Sequence, residues 1–131
     1  MVTSFLIDSG ANMSLVSAPS MTRPLEKPII IQGFNGSKSE ADRMGTVRGS
    51  VIAVSEQDRR RKSIESNIAG IHMPRGKNII SVSQLTRGTN VEVSFKVDGG
   101  SISLTDRGLS IPLRMARGLY YMDMDVNLNR S

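Results

Sequence analysis

Apolar residues in this sequence occur in short runs or alternate with polar residues, and polar turn residues separate these segments. Residues 5–7 form a run that stops at Asp8, residues 28–32 form another, and residues 91–95 alternate with a period of two. Such patterns are typical of β-strands, because successive strand side chains point to opposite faces of a sheet. The apolar residues are also rich in Ile and Val, which suit strands. We therefore predict a mostly-β fold.

Polar segments between these strands predict hairpins. Asn35-Gly36 is a strong turn signal, and the charged stretch 56–62 most simply caps a second hairpin. The predicted strands are residues 5–7, 28–32, one within 43–54 that includes 47–54, and residues 63–72, 91–95, 101–104, 109–113 and 119–122.

One short helix is predicted after Ser81. The segment Ser81-Val82-Ser83-Gln84 has the spacing of a capping box. In that motif the Ser81 hydroxyl accepts from an amide in the first turn, and the Gln84 side chain reaches back to the cap. Gly88 tolerates a left-handed backbone and is expected near the end of the helix.

Two segments are predicted to lie outside regular structure. Residues 18–27 contain Pro19 and Pro24 and are predicted to form a surface loop. Residues 123–131 are predicted to be a frayed, polar end.

Composition excludes several kinds of site. The chain has 131 residues, no cysteine and one histidine, His72. It therefore has no disulfides, thiolate zinc sites or cysteine nucleophiles, and one histidine cannot supply both a serine-type triad and a histidine-based metal site. Carboxylate and hydroxyl side chains are the groups left for a catalytic site, and we expect no metal and no cofactor. His72, between apolar neighbours at a predicted strand end, is given no role.

Length and charge add two expectations about organisation and partners. A chain of this length fits one compact domain. The first seven residues carry no basic segment, and their apolar run ends too early for a signal peptide or a membrane span, so we expect no membrane contact. The net charge of +5 is compatible with nucleic-acid binding, but the charge is scattered and aromatic residues make up 4%.

Three motifs carry a resemblance to a known family. Residues 5–11, Phe-Leu-Ile-Asp-Ser-Gly-Ala, resemble the active-site signature of retroviral and retrotransposon aspartic proteases. Residues 78–85, Asn-Ile-Ile-Ser-Val-Ser-Gln-Leu, resemble a block that follows the protease strands in copia-type retrotransposon polyproteins. Residues 118–122, Gly-Leu-Tyr-Tyr-Met, are similar to the Gly-Leu-Tyr segment that lies between that protease and integrase. In order and spacing, the chain resembles the protease region of such a polyprotein.

The resemblance implies a fold and a division of the chain. We expect a retropepsin-like closed β domain with one short helix over residues 1–97. A carboxy-terminal hairpin extension, resembling the start of the pre-integrase segment, is expected over residues 98–131. Seven residues precede Asp8, whereas members of the family usually have an additional amino-terminal strand that contributes to dimerisation. The sequence is therefore expected to begin inside the natural domain.

The resemblance also implies an aspartic endopeptidase with Asp8 as its catalytic residue. Hydrolysis by carboxylates needs a base and an acid, and the second Asp-x-Gly, at Asp106, lacks the Ser or Thr and is interpreted as a turn. A second copy has to supply the other carboxylate across a two-fold axis beside Asp8. The two close carboxylates would share one proton. The expected substrate is a peptide of the polyprotein, cleaved by a homodimer in cytoplasmic virus-like particles.

The residues after Asp8 take their expected roles from the same resemblance. Ser9 is expected to hydrogen-bond across the dimer axis, Gly10 to let the substrate backbone approach, and Ala11 to keep the floor of the site small. Asn12 stands where many retroviral members carry an aspartate that helps to hold the substrate backbone.

A candidate flap lies in residues 33–39. A glycine-bearing hairpin can close over an extended peptide and exclude water. Gly33, Phe34 and Gly36 are its expected contacts with substrate.

Two other functions remain open. The first is a non-catalytic interaction domain, a monomer with a protease-like fold. The second is a nucleic-acid-binding module adjoining integrase, which the net charge and the basic run at residues 59–62 favour, although such a run is most simply a solvated loop tip.

Overall fold

The computed structural model describes residues 1–32 and 36–126. Within them the fold is mostly β with one short helix, which confirms the predicted class. In chain order the strands are β1 Val2–Asp8, β2 Leu15–Val16, β3 Met21–Gln32, β4 Lys38–Ser55, β5 Arg61–His72, β6 Ile79–Ser81, β7 Val91–Lys96, β8 Gly99–Leu104, β9 Leu109–Ala116 and β10 Leu119–Val126. The helix α1, Val82–Thr86, follows β6 directly.

The described strands form one sheet in the order β3-β4-β5-β2-β6-β1-β10-β9-β8-β7. The long strand β4 also pairs with β9 and β10, with Val54 opposite Ser110 and Ser50 opposite Asp125. Because β4 contacts both halves of the sheet, the sheet closes on itself around a core. Strand β1 lies in the closed part, parallel to β6 on one side and antiparallel to β10 on the other.

Aliphatic and methionine side chains fill the core. Phe5 and Met124 are fully buried, and removing such a side chain from water stabilises the fold by about 1.5–3 kcal/mol. Phe5 and Ile7 point inward, so the alternation of β1 places Leu6 and Asp8 together on its other face. The remaining members of the main buried cluster are Val16, Val47, Val51, Ala53, Ile80, Ile102, Leu109, Ile111, Leu113, Met122 and Val126.

The loop predicted for residues 18–27 is wrong from Met21 onward. Strand β3 begins at Met21 and pairs with β4 through Pro24, opposite Arg43. The register then shifts before pairing resumes at Ile29. β3 is an edge strand, where proline is tolerated because one side of the strand needs no hydrogen-bond donors. Its prolines therefore did not exclude a strand.

The frayed end predicted from residue 123 is also wrong as far as Val126. Strand β10 continues to Val126, and Met124 in its middle is fully buried. Asp123 lies opposite Ser4 on β1. The acidic residues of this segment alternate with apolar ones that enter the core, so polar composition concealed a period of two. Residues 127–131 lie outside the described residues.

The predicted helix and hairpins are confirmed. The hairpin β4–β5 turns at residues 56–60, and β7 pairs with β8. Helix α1 ends at Thr86, and Gly88 has the left-handed backbone expected of it, with φ of 63°.

The expected boundary between residues 97 and 98 lies in the turn between β7 and β8. Strands on both sides of it belong to the same sheet. Strand β10, from the expected extension, pairs with β1, from the expected protease domain. The division of the chain stays a prediction. No helix in the described ranges is long and apolar enough to cross a membrane.

Candidate active site

Asp8 is the last residue of β1, where the strand leaves the core. Its side chain is half-buried, and its Oδ1 accepts a 2.8 Å hydrogen bond from the Gly10 amide. Ser9 and Gly10 are exposed. A Cβ at Gly10 would lie 3.4 Å from Asp8 Oδ1, so glycine leaves that side of the carboxylate open. The strand thus delivers a carboxylate to a tight turn at the surface.

A buried serine holds the loop that follows. Ser81 is fully buried, and its hydroxyl donates a 2.7 Å hydrogen bond to the Ala11 carbonyl oxygen. The Ser81 hydroxyl oxygen in turn accepts from the Gln84 amide at 3.3 Å, which makes Ser81 the N-cap of α1, as predicted. One hydroxyl therefore joins the start of the helix to the loop after Asp8.

The second half of the predicted capping box is wrong. The Ser81 amide donates to the Ser14 hydroxyl at 2.9 Å, so it does not need the Gln84 side chain. Gln84 Oε1 instead accepts a 2.8 Å hydrogen bond from the Ser14 amide. The polar groups of Ser14 are satisfied by residues almost seventy positions away, and Ser14 can therefore be buried without an unpaired amide.

Asn78 fixes the far end of the same loop. Its Oδ1 accepts from the Ser17 amide at 2.9 Å and from the Ser17 hydroxyl at 3.2 Å. Its carbonyl oxygen accepts from the Leu6 amide at 2.9 Å, two residues before Asp8. We call Asn78, Ser81 and Gln84 the clamp. The clamp binds the chain both before and after Asp8.

Strand β5 supports the loop from behind. The Ile71 amide donates a 2.9 Å hydrogen bond to the Ser14 carbonyl oxygen. A Cβ at Gly70 would lie 2.6 Å from that same oxygen, which is closer than real Cβ contacts allow. Position 70 therefore has to be glycine for the loop to pack against the strand.

The structure places the predicted site residues in two groups. Asp8, Ser9, Gly10, Ala11 and Asn12 are contiguous, with Ala11 half-buried and Asn12 exposed.

Gly36, from the candidate flap, is exposed on the connection between β3 and β4, with φ of 78° and open space around it. Gly33 and Phe34 lie outside the described residues. In sheet order the β3–β4 hairpin is separated from β1 by β5, β2 and β6.

An ionic network occupies the face of the sheet that carries Asp8. Arg114 binds Asp123 through two hydrogen bonds of 2.9 and 3.0 Å, and both side chains also contact the Ser4 hydroxyl. The Arg114 guanidinium, through these hydrogen bonds, holds the pKa of Asp123 below its ordinary value. Arg114 also lies 5.1 Å from the centre of the Tyr121 ring. The network joins β1, β9 and β10.

Sequence reasoning missed the loop contacts of Ser14, Asn78, Gln84 and Gly70. The motif at residues 78–85 was visible, but its hydrogen bonds to the loop after Asp8 were not predicted. Nothing local in the sequence marks Ser14 or Gly70, because both matter through contacts with distant segments.

The other candidates are located as follows. Residues 105–108 form a turn, as predicted, with φ of 62° at Gly108. His72 ends β5. The Tyr120 hydroxyl donates to the Lys96 carbonyl oxygen at 2.5 Å. Across residues 1–32 and 36–126, no group of three or more His, Asp or Glu side chains is arranged to hold a metal ion.

The basic run at residues 59–62 lies in the β4–β5 turn and the first two residues of β5, and all four side chains are exposed.

A comparison of the sequence with known protein families, and with curated proteins, finds no match.

Proposed function

We propose that this chain is an aspartic endopeptidase that works as a homodimer. It would resemble the retropepsin-like protease of a copia-type retrotransposon and cleave peptides of the polyprotein. The observation that carries the proposal is the placement of Asp8, at the end of a core strand, in a surface turn held by the clamp. Such a turn presents a carboxylate to an extended peptide and keeps its position rigid.

The contact between two motifs supports the proposal. The Asp-Ser-Gly turn and the 78–85 segment each resemble the protease family, and they lie about seventy residues apart in the chain. In the structure they are neighbours: β1 pairs with β6, and Ser81 binds Ala11. Two unrelated local coincidences would have no reason to meet in space.

The proposed chemistry needs two Asp8 carboxylates that face one water molecule. One carboxylate, as base, takes a proton from the water molecule. The water oxygen then attacks the peptide carbonyl carbon. The other, as acid, gives its proton to the carbonyl oxygen. When the tetrahedral intermediate collapses, the carboxyl that took a proton from water gives it to the leaving amine, the other carboxylate takes the proton of one hydroxyl, and the C–N bond breaks. Since each chain supplies one Asp8, the site is complete only in a two-fold dimer.

The test is cleavage of an extended polyprotein-derived peptide between about pH 4 and 7, with Asp8→Asn compared with Asp106→Asn. Both variants remove one carboxylate from an Asp-x-Gly sequence, but Asp106 lies in an ordinary turn. We expect Asp8→Asn to abolish cleavage and Asp106→Asn to retain it. Inhibition by a pepstatin-type peptide is expected to follow the same pattern.

Solution mass separates the alternatives. A dimer by sedimentation is expected at the concentrations at which cleavage occurs. A strict monomer without activity would favour the non-catalytic interaction domain. RNA or DNA binding that weakens with log salt and is lost on neutralising residues 59–62 would favour the nucleic-acid module.

A further inference from the structure

The turn between β9 and β10 lies at the end of the β1–β10 strand pair where β1 reaches Asp8. Strands β1 and β10 are antiparallel, and their last paired residues at this end are Leu6 and Tyr121. Asp8, the last residue of β1, lies two residues after Leu6, and Leu119, the first residue of β10, lies two residues before Tyr121. Continued in the same register, Asp8 would stand opposite Leu119, and the ordinary spacing of antiparallel strands would put their Cα atoms about 5 Å apart.

Leu119 adds an apolar surface on the side of Asp8. Opposite residues of an antiparallel pair share a face, so Asp8 and Leu119, each two positions beyond Leu6 and Tyr121, lie on the same face. Leu119 is 47% exposed although it is a large apolar residue.

Arg117 occupies the turn itself. Its side chain is exposed, and within the described residues it takes part in no ion pair. Its φ is 54°, in the left-handed region, where glycine or asparagine is preferred and an arginine is strained. Two residues span at most about 7 Å, so the continued register would put the Arg117 Cα within about 12 Å of the Asp8 Cα.

We propose that the β9–β10 turn forms one wall of the peptide site beside Asp8, and that Arg117 selects peptides with an acidic side chain near the cleaved bond. This inference rests on the proposed endopeptidase function. It assigns a specificity role to residues 98–131, the segment expected to lie outside the protease domain. In a two-fold dimer one Arg117 would flank each side of the cleaved bond.

Charge explains the selection. The uncompensated guanidinium attracts a carboxylate on the peptide and repels an ammonium group, and both effects act over roughly the Debye length of about 8 Å at physiological salt. Lys96, the last residue of β7, lies nearby because its carbonyl oxygen binds Tyr120, and Asp98, in the turn that follows, carries the opposite charge. We therefore expect a preference of moderate size that shrinks as salt is raised.

Arg107→Glu is a matched control for Arg117→Glu. Both arginines are exposed and precede a glycine of positive φ, Gly108 or Gly118, and they lie in the turns at opposite ends of β9. The two variants change the net charge of the chain equally. Only the change at residue 117 lies at the Asp8 end of the sheet.

The experiment compares kcat/KM for pairs of polyprotein-derived peptides that differ by Glu or Lys within three residues of the cleaved bond. We expect wild type and Arg107→Glu to favour the Glu peptide at one or more positions. Arg117→Glu is expected to shift that ratio by about fivefold to tenfold toward Lys. Equal ratios in the two variants would overturn the inference while leaving an Asp8-dependent protease intact.

A binding measurement keeps the two proposals separable. Fluorescence anisotropy of the same labelled peptides with Asp8→Asn protein reports selection without chemistry. Peptide selection that depends on Arg117, without any cleavage that depends on Asp8, would support the β9–β10 turn as a wall of the peptide site and would contradict the endopeptidase function. No selection in either assay would overturn the wall.

Arg117→Asn guards against a purely structural effect. Asparagine suits the left-handed conformation, so this variant is expected to fold at least as stably as wild type and still to lose the preference for Glu peptides. An unchanged preference in Arg117→Asn would overturn the role of the guanidinium.

Discussion

The hydroxyl of Ser81 donates a 2.7 Å hydrogen bond to the carbonyl oxygen of Ala11, three residues after Asp8. That hydroxyl also accepts from the Gln84 amide and caps α1. The position of the candidate catalytic turn is therefore coupled to the start of a helix seventy residues away. The stability of the helix and the geometry of the turn should change together.

Ser81→Ala is expected to destabilise the protein by about 2 kcal/mol. The change removes an N-cap, which contributes about 1 kcal/mol, and leaves the Ala11 oxygen without its donor in a part-buried site. Urea unfolding measures the loss. Ser83→Ala is the comparison, and a smaller loss is expected: Ser83 is exposed, its hydroxyl shares one 3.0 Å hydrogen bond with the Ser81 hydroxyl, and its contact with the Ala11 oxygen is long, at 3.5 Å. A loss in Ser83→Ala as large as in Ser81→Ala would contradict the prediction.

Gln84→Ala should loosen the loop after Asp8, whereas Gln84→Glu should not. The Ser14 amide donates to Gln84 Oε1, and alanine leaves this amide without an acceptor, while a glutamate oxygen can still accept. Hydrogen exchange at the Ser14 amide reports the difference directly. We expect exchange to be at least about tenfold faster in Gln84→Ala, since one lost hydrogen bond of about 1.4 kcal/mol corresponds to a factor of ten. Similar exchange in both variants would show that Gln84 does not hold the loop.

Gly70→Ala is expected to lower the free energy of unfolding by about 2–3 kcal/mol. The new Cβ would meet the Ser14 carbonyl oxygen, and the backbone would have to move. Gly108→Ala is the comparison. Gly108 has positive φ and open space, so alanine there costs only backbone strain, about 1 kcal/mol. The unfolding free energies of the two variants distinguish a steric effect from a conformational one. A smaller loss at residue 70 than at residue 108 would argue against close packing of β5 on the loop.

Part of the loss of folding stability at acid pH is expected to come from protonation of Asp123. The Arg114 side chain lowers the pKa of Asp123 in the folded protein. A carboxyl whose folded pKa lies below its unfolded value stabilises the fold above the unfolded pKa, and this contribution is lost as pH falls through the folded pKa. The urea midpoint of wild type should therefore drop between about pH 5 and pH 2, near the ordinary range of aspartate.

Asp123→Asn tests this assignment. The variant should be less stable than wild type at pH 7, and its urea midpoint should depend less on pH. The side chains of Arg114 and Asp123 are 49% and 38% exposed, so solvent screens the pair and the difference is expected to be small and to shrink in high salt. An unchanged pH dependence in Asp123→Asn would assign the acid loss to other carboxyls.

Local sequence determined the elements whose evidence lies within a few residues. Alternation of apolar and polar residues predicted the hairpin β7–β8, and the capping motif predicted helix α1 at Ser81. Gly88 was expected near the end of the helix as a residue that tolerates a left-handed backbone, and its backbone is left-handed. These features follow from the period of two of a strand and from unpaired amides at a helix start, and both are properties of short segments.

Tertiary structure alone decided which segments meet. Gln84 satisfies Ser14 because the Ser81 amide already has an acceptor, and Asp123 lies in a paired strand because β1 offers it an edge. The proposed approach of Arg117 to Asp8 likewise depends on the register of β10 on β1. Strand order and register depend on contacts between residues far apart in the chain, and those contacts leave no periodic trace in either segment taken alone.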